Sequence, residues 1–227
     1  MAATVTRWWW VRHAPVTGHR GRIYGQADFP ADCSNQTVFQ SLAAVLPSDA
    51  VWVTSNLQRT HQTAEAILAA MPRAEAGAAP GIARPAERLI EPDIAEQHFG
   101  DWQGLTFDEL YKMRGDERFT FWISPASEVP PGGESFVEVV NRVGRAVQRL
   151  TEQFAGRQIV AIAHGGSIRA AMAHALAIDA ERVLSFSIGN CSVTQLDHIY
   201  DPDSVDRDKQ GWRVNTVNLM PHPPFVR

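Results

Sequence analysis

The segment from Gln158 to Ala163 constrains the fold more than any other part of the chain. It reads Gln-Ile-Val-Ala-Ile-Ala, so its last five residues are all apolar. Such a run is too short for a buried helix, and a strand that is apolar on both faces is typical of the interior of a parallel sheet. A helical pattern follows it from about Ser167 to Ala177. The segment therefore predicts a strand buried between layers of helices.

Short apolar runs alternate with longer periodic ones along the rest of the chain. The predicted strands are Val5 to Arg12, Val51 to Val53, and two peripheral edge strands, Cys191 to Tyr200 and Trp212 to Leu219. The predicted helices run from about Leu57 to Met71 and from Ser135, which begins a capping-box pattern with Glu138, to near Phe154. Strands joined by crossover helices predict an α/β fold with a mostly parallel central sheet.

The composition is that of an ordinary globular protein. Of the 227 residues, 44% are hydrophobic and 20% are charged, and an α/β chain of this length can form around one core, so we expect a single domain over residues 1–227. The net charge of −4 gives no general attraction to nucleic acid or to an anionic membrane. Two cysteines without paired spacing, Cys33 and Cys191, favour a cytoplasmic setting. The pattern leaves monomer and homodimer open.

Basic side chains follow two of the predicted strands at the point where each strand ends. Arg12 and His13 end the first strand, and His164 and Gly165 follow the buried one. The carboxyl ends of parallel strands form the crevice in which such sheets bind ligands, and Arg59 lies in the first turn of the helix after the second strand. Arginine forks and the amides at a helix start suit a phosphate dianion. The sequence therefore predicts a phosphate site, with a neutral imidazole as the candidate nucleophile.

The segment from Ala95 to Gly104 supplies the candidate proton donor. Phosphomonoester cleavage releases an alkoxide that must be protonated, and Glu96 offers a carboxyl group for it. Like-charge repulsion beside a bound phosphate favours the protonated form of a carboxyl group. The chain has neither a P-loop nor a close cluster of aspartates that would hold magnesium, so we expect neither a metal site nor another cofactor.

Taken together, these motifs resemble those of the histidine phosphatase superfamily, also called the phosphoglycerate mutase-like family. Matching segments follow in the family's order: Arg12-His13-Ala14, Ser55 to Ala64, Glu96 to Gly104, Gly133-Glu134-Ser135 and His164-Gly165-Gly166. The resemblance implies a three-layer α/β/α sandwich and a metal-independent, histidine acid phosphatase-like hydrolase of small phosphomonoesters. It implies a phosphohistidine on His13, phosphate contacts from Arg12, Arg59 and His164, and proton transfer by Glu96.

The nucleophile loop departs from the family pattern. Ala14 replaces the usual glycine, and Val16 and His19 occupy positions where the family often has threonine and asparagine. We expect Thr17 and His19 to take over contacts to the phosphate. Tyr24 and Trp122 are further candidates for the wall of the substrate pocket.

Two other functions fit the same motifs. A phosphoglycerate mutase would return the phosphoryl group to its substrate, but the segment from Thr106 to Pro131 is short and offers only Lys112, Arg114 and Arg118 for a substrate carboxylate. A catalytically silent phosphate-binding protein would keep the pocket without turnover. Sugar phosphates, nucleoside phosphates, the phosphate ester of a cobalamin precursor and phosphohistidine on a protein all remain candidate substrates.

Overall fold

The structure, a computed structural model, describes residues 3–72, 88–115, 117–119, 122–203 and 211–221. Its strands are β1 (Thr4–Arg12), β2 (Val51–Thr54), β3 (Arg88–Ile90), β4 (Gln158–Ala163), β5 (Val193–Tyr200) and β6 (Gly211–Leu219). Its α-helices are α1 (Gln36–Val45), α2 (Gln58–Ala70), α3 (Phe107–Met113), α4 (Phe136–Gln153), α5 (Gly165–Leu176) and α6 (Ala180–Val183). Short 3₁₀ helices span Pro92–Ile94 and Gly100–Trp102.

The six strands form one mixed sheet in the order β3-β2-β4-β1-β5-β6. The pairs β2/β3, β2/β4 and β1/β4 are parallel, whereas β1/β5 and β5/β6 are antiparallel. The predicted mostly parallel sheet is therefore confirmed, and β4 lies inside it as its apolar sequence indicates.

Alternate residues of the central strands point into two separate apolar clusters. Trp8, Trp10 and Ile159 pack with α4 and α5 on one face of the sheet. Val11 and Val160 pack with α1 and α2 on the other face. Side chains in a strand alternate between its two faces, so a strand apolar at every position needs helices on both sides. The three-layer α/β/α arrangement follows from this.

One prediction about the sheet is wrong. The segment that contains β5 was expected at an edge, but β5 lies between β1 and β6, and only β6 forms that edge. Strand β5 contains polar residues that are buried with hydrogen-bond partners. Asp197 accepts hydrogen bonds from Arg7 at 2.7 and 2.9 Å, and Thr194 accepts one from the Asn218 amide at 3.2 Å. Cross-strand partners allow polar residues inside a sheet, which removes the simple apolar signal.

The helix predictions hold with small shifts at the ends. The capping box of α4 is present, with the Ser135 side chain accepting from the Glu138 amide and the Glu138 side chain accepting from the Ser135 amide. Helix α5 begins at Gly165, two residues earlier than expected, with His164 at its N-cap. Helix α1 was not predicted. No helix among the described residues is long and apolar enough to cross a bilayer.

Candidate active site

The register of the two central strands brings the two candidate histidines together. Arg12 of β1 pairs with Ala163 of β4, so His13 and His164 both follow at the same level of the sheet. The His13 amide donates to the Ala163 carbonyl at 2.9 Å. The centroids of the two imidazole rings lie 5.1 Å apart, and both side chains are fully buried. The rings are close enough to contact a common phosphate.

The His13 ring is held in one tautomer. Its Nδ1 lies 2.6 Å from the carbonyl oxygen of Ala14. A carbonyl oxygen only accepts, so Nδ1 carries the hydrogen and Nε2 carries the lone pair. That Nε2 is buried and has no hydrogen-bond partner among the described residues. The surrounding backbone is fixed as well, because Asn190 donates to the His13 carbonyl at 2.8 Å and Thr63 accepts from the Ala14 amide at 2.9 Å.

The His164 ring has partners at both nitrogens. Arg59 Nε donates to its Nδ1 at 3.2 Å, so its Nε2 carries the hydrogen and donates to the Ser55 hydroxyl at 2.8 Å. Ser55 lies directly after β2, at the same edge of the sheet as the histidines. The predicted phosphate contact of His164 therefore requires the Nδ1 side of the ring, where Arg59 now lies.

Burial and positive charge keep both imidazoles neutral. Burial, together with the charge of Arg59, lowers the pKa of His13 from 6.5 to about 3. The same causes, in the same order, lower the pKa of His164 well below its ordinary value. A neutral His13 with its Nε2 lone pair unoccupied is the form in which an imidazole can attack phosphorus.

Two arginines border the histidine pair. Arg59 is fully buried, and its Nη1 and Nη2 donate to the carbonyls of Ala27 at 2.9 Å and Gly25 at 2.6 Å. Among the described residues, protein atoms use three of its five N–H donors, which leaves two for a ligand. Arg12 donates from Nη1 to the Ile188 carbonyl at 2.6 Å, and its buried Nε has no partner among the described residues. Unpartnered buried donors are the arrangement that an anion would satisfy.

The sequence predicts that the amides at the start of helix α5 bind phosphate, but one of them is bound to a carboxylate of the protein. Gly165 lies against Arg12, because a Cβ there would be 3.6 Å from the Arg12 guanidinium carbon. The Gly166 amide is not free, since it donates to the Glu96 carboxylate at 3.1 Å. Glu96 also accepts from the Gln97 amide at 2.9 Å. The helix start thus fixes the candidate proton donor beside the arginines.

An ion pair that the sequence did not reveal holds the acid segment in place. Arg142 of α4 donates to the carbonyls of Asp93, Ala95 and Glu96 at 2.7, 2.9 and 3.0 Å. It also donates to Glu134 at 2.8 and 2.9 Å, and Glu134 accepts from the His98 amide at 2.9 Å. The sequence signals are the Gly133-Glu134-Ser135 motif just before helix α4 and the position of Arg142 on that helix. We call this pair the acid-loop brace.

A cavity of about 400 Å³ adjoins the site. Arg12 and Glu96 line it together with three of the predicted pocket residues, His19, Tyr24 and Trp122. The fourth, Thr17, is exposed and does not line the cavity; its backbone amide donates to the Pro30 carbonyl at 3.0 Å. The expected phosphate contact of Thr17 is therefore not supported by its position.

Sequence reasoning missed a third arginine near the acid. Arg169 lies one helical turn after Gly165, donates to the Gly165 and Phe186 carbonyls at 3.0 and 2.7 Å, and stacks over Trp122 at 4.9 Å. Burial lowers its pKa to about 10, and the charge of Glu96 opposes that shift. Its position one turn into the helix that begins at the predicted phosphate site is the signal that could have found it.

Comparison with known proteins gives consistent matches over most of the chain. A glucosyl-3-phosphoglycerate phosphatase of Mycobacterium tuberculosis is 29% identical over 220 residues, 92% of each chain. Phosphoglycerate mutase-like protein 4 of Arabidopsis thaliana is 29% identical over 185 residues, 78% of this chain and 75% of that one. A solved structure of the mycobacterial glucosyl-3-phosphoglycerate phosphatase superposes with a TM-score of 0.73 at 26% identity, covering 96% of this chain and all of that one.

The family assignment rests on the match to a family model. The model of the histidine phosphatase superfamily, branch 1, matches residues 8–218. That range begins in β1 and ends in β6, and it includes both histidines, both arginines and Glu96. The chain belongs to the histidine phosphatase superfamily, branch 1.

Proposed function

We propose that this protein hydrolyses a small phosphomonoester through a phosphohistidine on His13. The observation that carries the proposal is the buried, unpartnered Nε2 of His13, next to an arginine whose buried Nε also lacks a partner among the described residues. Solved structures of the mycobacterial phosphatase, 27% and 26% identical to this chain, contain VO3 and inorganic phosphate. These are the ligands that a site of this charge would accept.

The first step transfers the phosphoryl group to the protein. Nε2 of His13 forms the N–P bond while the P–O bond to the alcohol breaks, and Glu96 donates its proton to the departing oxygen. Arg12 and Arg59 stabilise the charge on the three remaining phosphoryl oxygens, where most of the transition-state charge lies. His164 positions Arg59, because its Nδ1 accepts a hydrogen bond from Arg59 Nε. Because Nδ1 of His13 donates to the Ala14 carbonyl, that hydrogen bond also supports the positive charge that develops on the ring.

The second step returns His13 to its starting state. Glu96, now ionised, removes a proton from a water molecule as the water attacks phosphorus. The N–P bond breaks, inorganic phosphate leaves, and Glu96 is protonated again. Splitting the reaction in this way lets one carboxyl group act as acid and then as base.

The cationic side chains of the segment from Thr106 to Pro131 lie away from the cavity, which favours hydrolysis over mutase chemistry. Arg114 pairs with Glu128 at 2.6 Å, and Arg118 stacks over Tyr111 at 4.8 Å. Neither Arg114 nor Arg118 lines the cavity, and neither does Lys112. A substrate carboxylate therefore has little to bind there, and we assign the protein to the phosphatases rather than the mutases.

A rapid quench in alkaline SDS followed by analysis at high pH tests the proposal. Protein mixed with a ³²P-labelled phosphomonoester in EDTA should carry acid-labile label and release inorganic phosphate, and His13→Ala should do neither. Bound ligand without label or turnover would identify a silent phosphate-binding protein. Label that passes to 3-phosphoglycerate instead of water would identify a mutase. Loss of turnover in EDTA would contradict the expected metal independence.

A further inference from the structure

We propose that the cavity next to the phosphate site binds a planar aromatic group in the alcohol half of the substrate, as in a nucleoside monophosphate. The inference rests on the proposed function, because it concerns the ester that His13 would cleave. It begins from the chemistry of the cavity wall outside Arg12 and Glu96.

Aromatic side chains dominate that wall. The aromatic residues that line the cavity are Tyr24, Phe99, Phe107, Tyr111, Phe119 and Trp122. They come from three separate parts of the chain: the loop after the nucleophile, the acid segment, and the segment containing helix α3. Aromatic faces from separate segments that converge on one cavity favour a flat, apolar ligand group over a heavily hydroxylated one.

Phe107 at the rim supports this interpretation. It is 45% exposed although it is the first residue of helix α3, and it lies 6.4 Å from the Tyr111 ring between centroids. The helix cap does not require a phenyl group, since Thr106 and Glu109 form the capping box. Its exposed ring at the mouth of the cavity is therefore available for contact with a ligand.

The polar groups of the wall are mostly engaged already. The Trp122 indole donates to Gln97 at 3.0 Å. Apart from Arg12, the only arginine or lysine lining the cavity among the described residues is Arg22, which donates to the Gly104 carbonyl at 2.6 Å and pairs with Glu109 at 3.2 Å. A second acidic group on the substrate would thus have to compete with Glu109 for Arg22.

His19 differs from the engaged polar groups of the wall, because one of its ring nitrogens has no partner among the described residues, and this fits a heteroaromatic ligand. Its Nδ1 is buried without a partner among the described residues, and its ring packs edge-on against Tyr24 at 5.2 Å. A ligand with ring nitrogens or hydroxyl groups near the phosphate would satisfy that atom. The cavity volume of about 400 Å³ is also large enough for a nucleoside-sized group.

A matched pair of substrates tests the inference. Adenosine 5′-monophosphate and ribose 5-phosphate have the same primary phosphate ester and differ in the base. We expect kcat/KM to be at least about tenfold higher for the nucleotide, the effect of stacking one base on aromatic side chains. Phe107→Ala should reduce that ratio severalfold. Tyr200→Ala, which removes another exposed aromatic at the far end of β5, should leave the ratio unchanged.

The outcomes separate this inference from the proposed function. Equal kcat/KM for the two esters, or a preference for ribose 5-phosphate or 3-phosphoglycerate, would overturn the aromatic assignment while phosphatase activity stands. A nucleotide preference that Phe107→Ala and Tyr111→Leu both leave intact would overturn the assignment of this cavity. Absence of turnover with every ester, and of label on His13, would overturn both.

Discussion

Replacing Arg142 by alanine removes the acid-loop brace and should impair proton donation more than phosphoryl binding. The Arg142 side chain is 12% exposed and that of Glu134 is 19% exposed, so the ion pair is largely screened from water. Its loss also removes the hydrogen bonds that Arg142 donates to the carbonyls of Asp93, Ala95 and Glu96. Breaking a largely buried pair costs about 3 kcal/mol of unfolding free energy.

The catalytic effect depends on the leaving group. General acid catalysis contributes about 10²- to 10⁴-fold, and a shift of about 1 Å in the acid costs about 10²-fold. We therefore expect Arg142→Ala to lower kcat/KM about 10²-fold for 2-phenylethyl phosphate, whose alkoxide must be protonated. For p-nitrophenyl phosphate, which releases a stable anion, the loss should stay below about tenfold.

Arg149→Ala provides the matched control. Arg149 lies on the same helix and pairs with Glu91, but it does not contact the acid-segment carbonyls that Arg142 binds. Its replacement should change kcat/KM for the two esters by the same factor. The assay is kcat/KM for the two esters at one pH, with urea unfolding of each variant. Equal losses on both esters in Arg142→Ala, or a selective loss in Arg149→Ala, would refute the positioning role.

Three further predictions follow from the site. In Gly166→Ala the new Cβ would displace the Glu96 carboxylate, so kcat/KM for an alkyl ester should fall at least about tenfold while the melting temperature hardly changes. Ser55→Ala removes the acceptor of the His164 Nε2 hydrogen and should cost about 1–2 kcal/mol in urea unfolding and weaken vanadate binding in a titration. Because the folded pKa of His13 is about 3 and its ordinary value is 6.5, the unfolded chain binds the extra proton between these values. Its contribution to stability is complete above pH 6.5 and falls as the pH drops, by up to about 1.4 kcal/mol per pH unit; a urea series in which His13→Gln keeps the wild-type slope would contradict this.

Local sequence patterns were sufficient to predict those structural features that depend on residues close together in the chain. The apolar run of β4, the capping box at Ser135 and the strand-end positions of His13 and His164 are readable because periodicity and caps are local properties. Strand β5 was misplaced for the opposite reason. Asp197 is buried with a hydrogen-bond partner, Arg7, that lies 190 residues away in the chain.

The sequence by itself determined the α/β class and which residue types stand at the carboxyl ends of the strands. The tertiary structure alone decided that Arg12 pairs with Ala163, that Nε2 of His13 carries the lone pair, and that Arg142 holds the segment of Glu96. These facts depend on strand register and side-chain direction between residues far apart in the chain. The spacing of residues along the sequence does not predict such contacts, because they form when separate layers of the fold pack together.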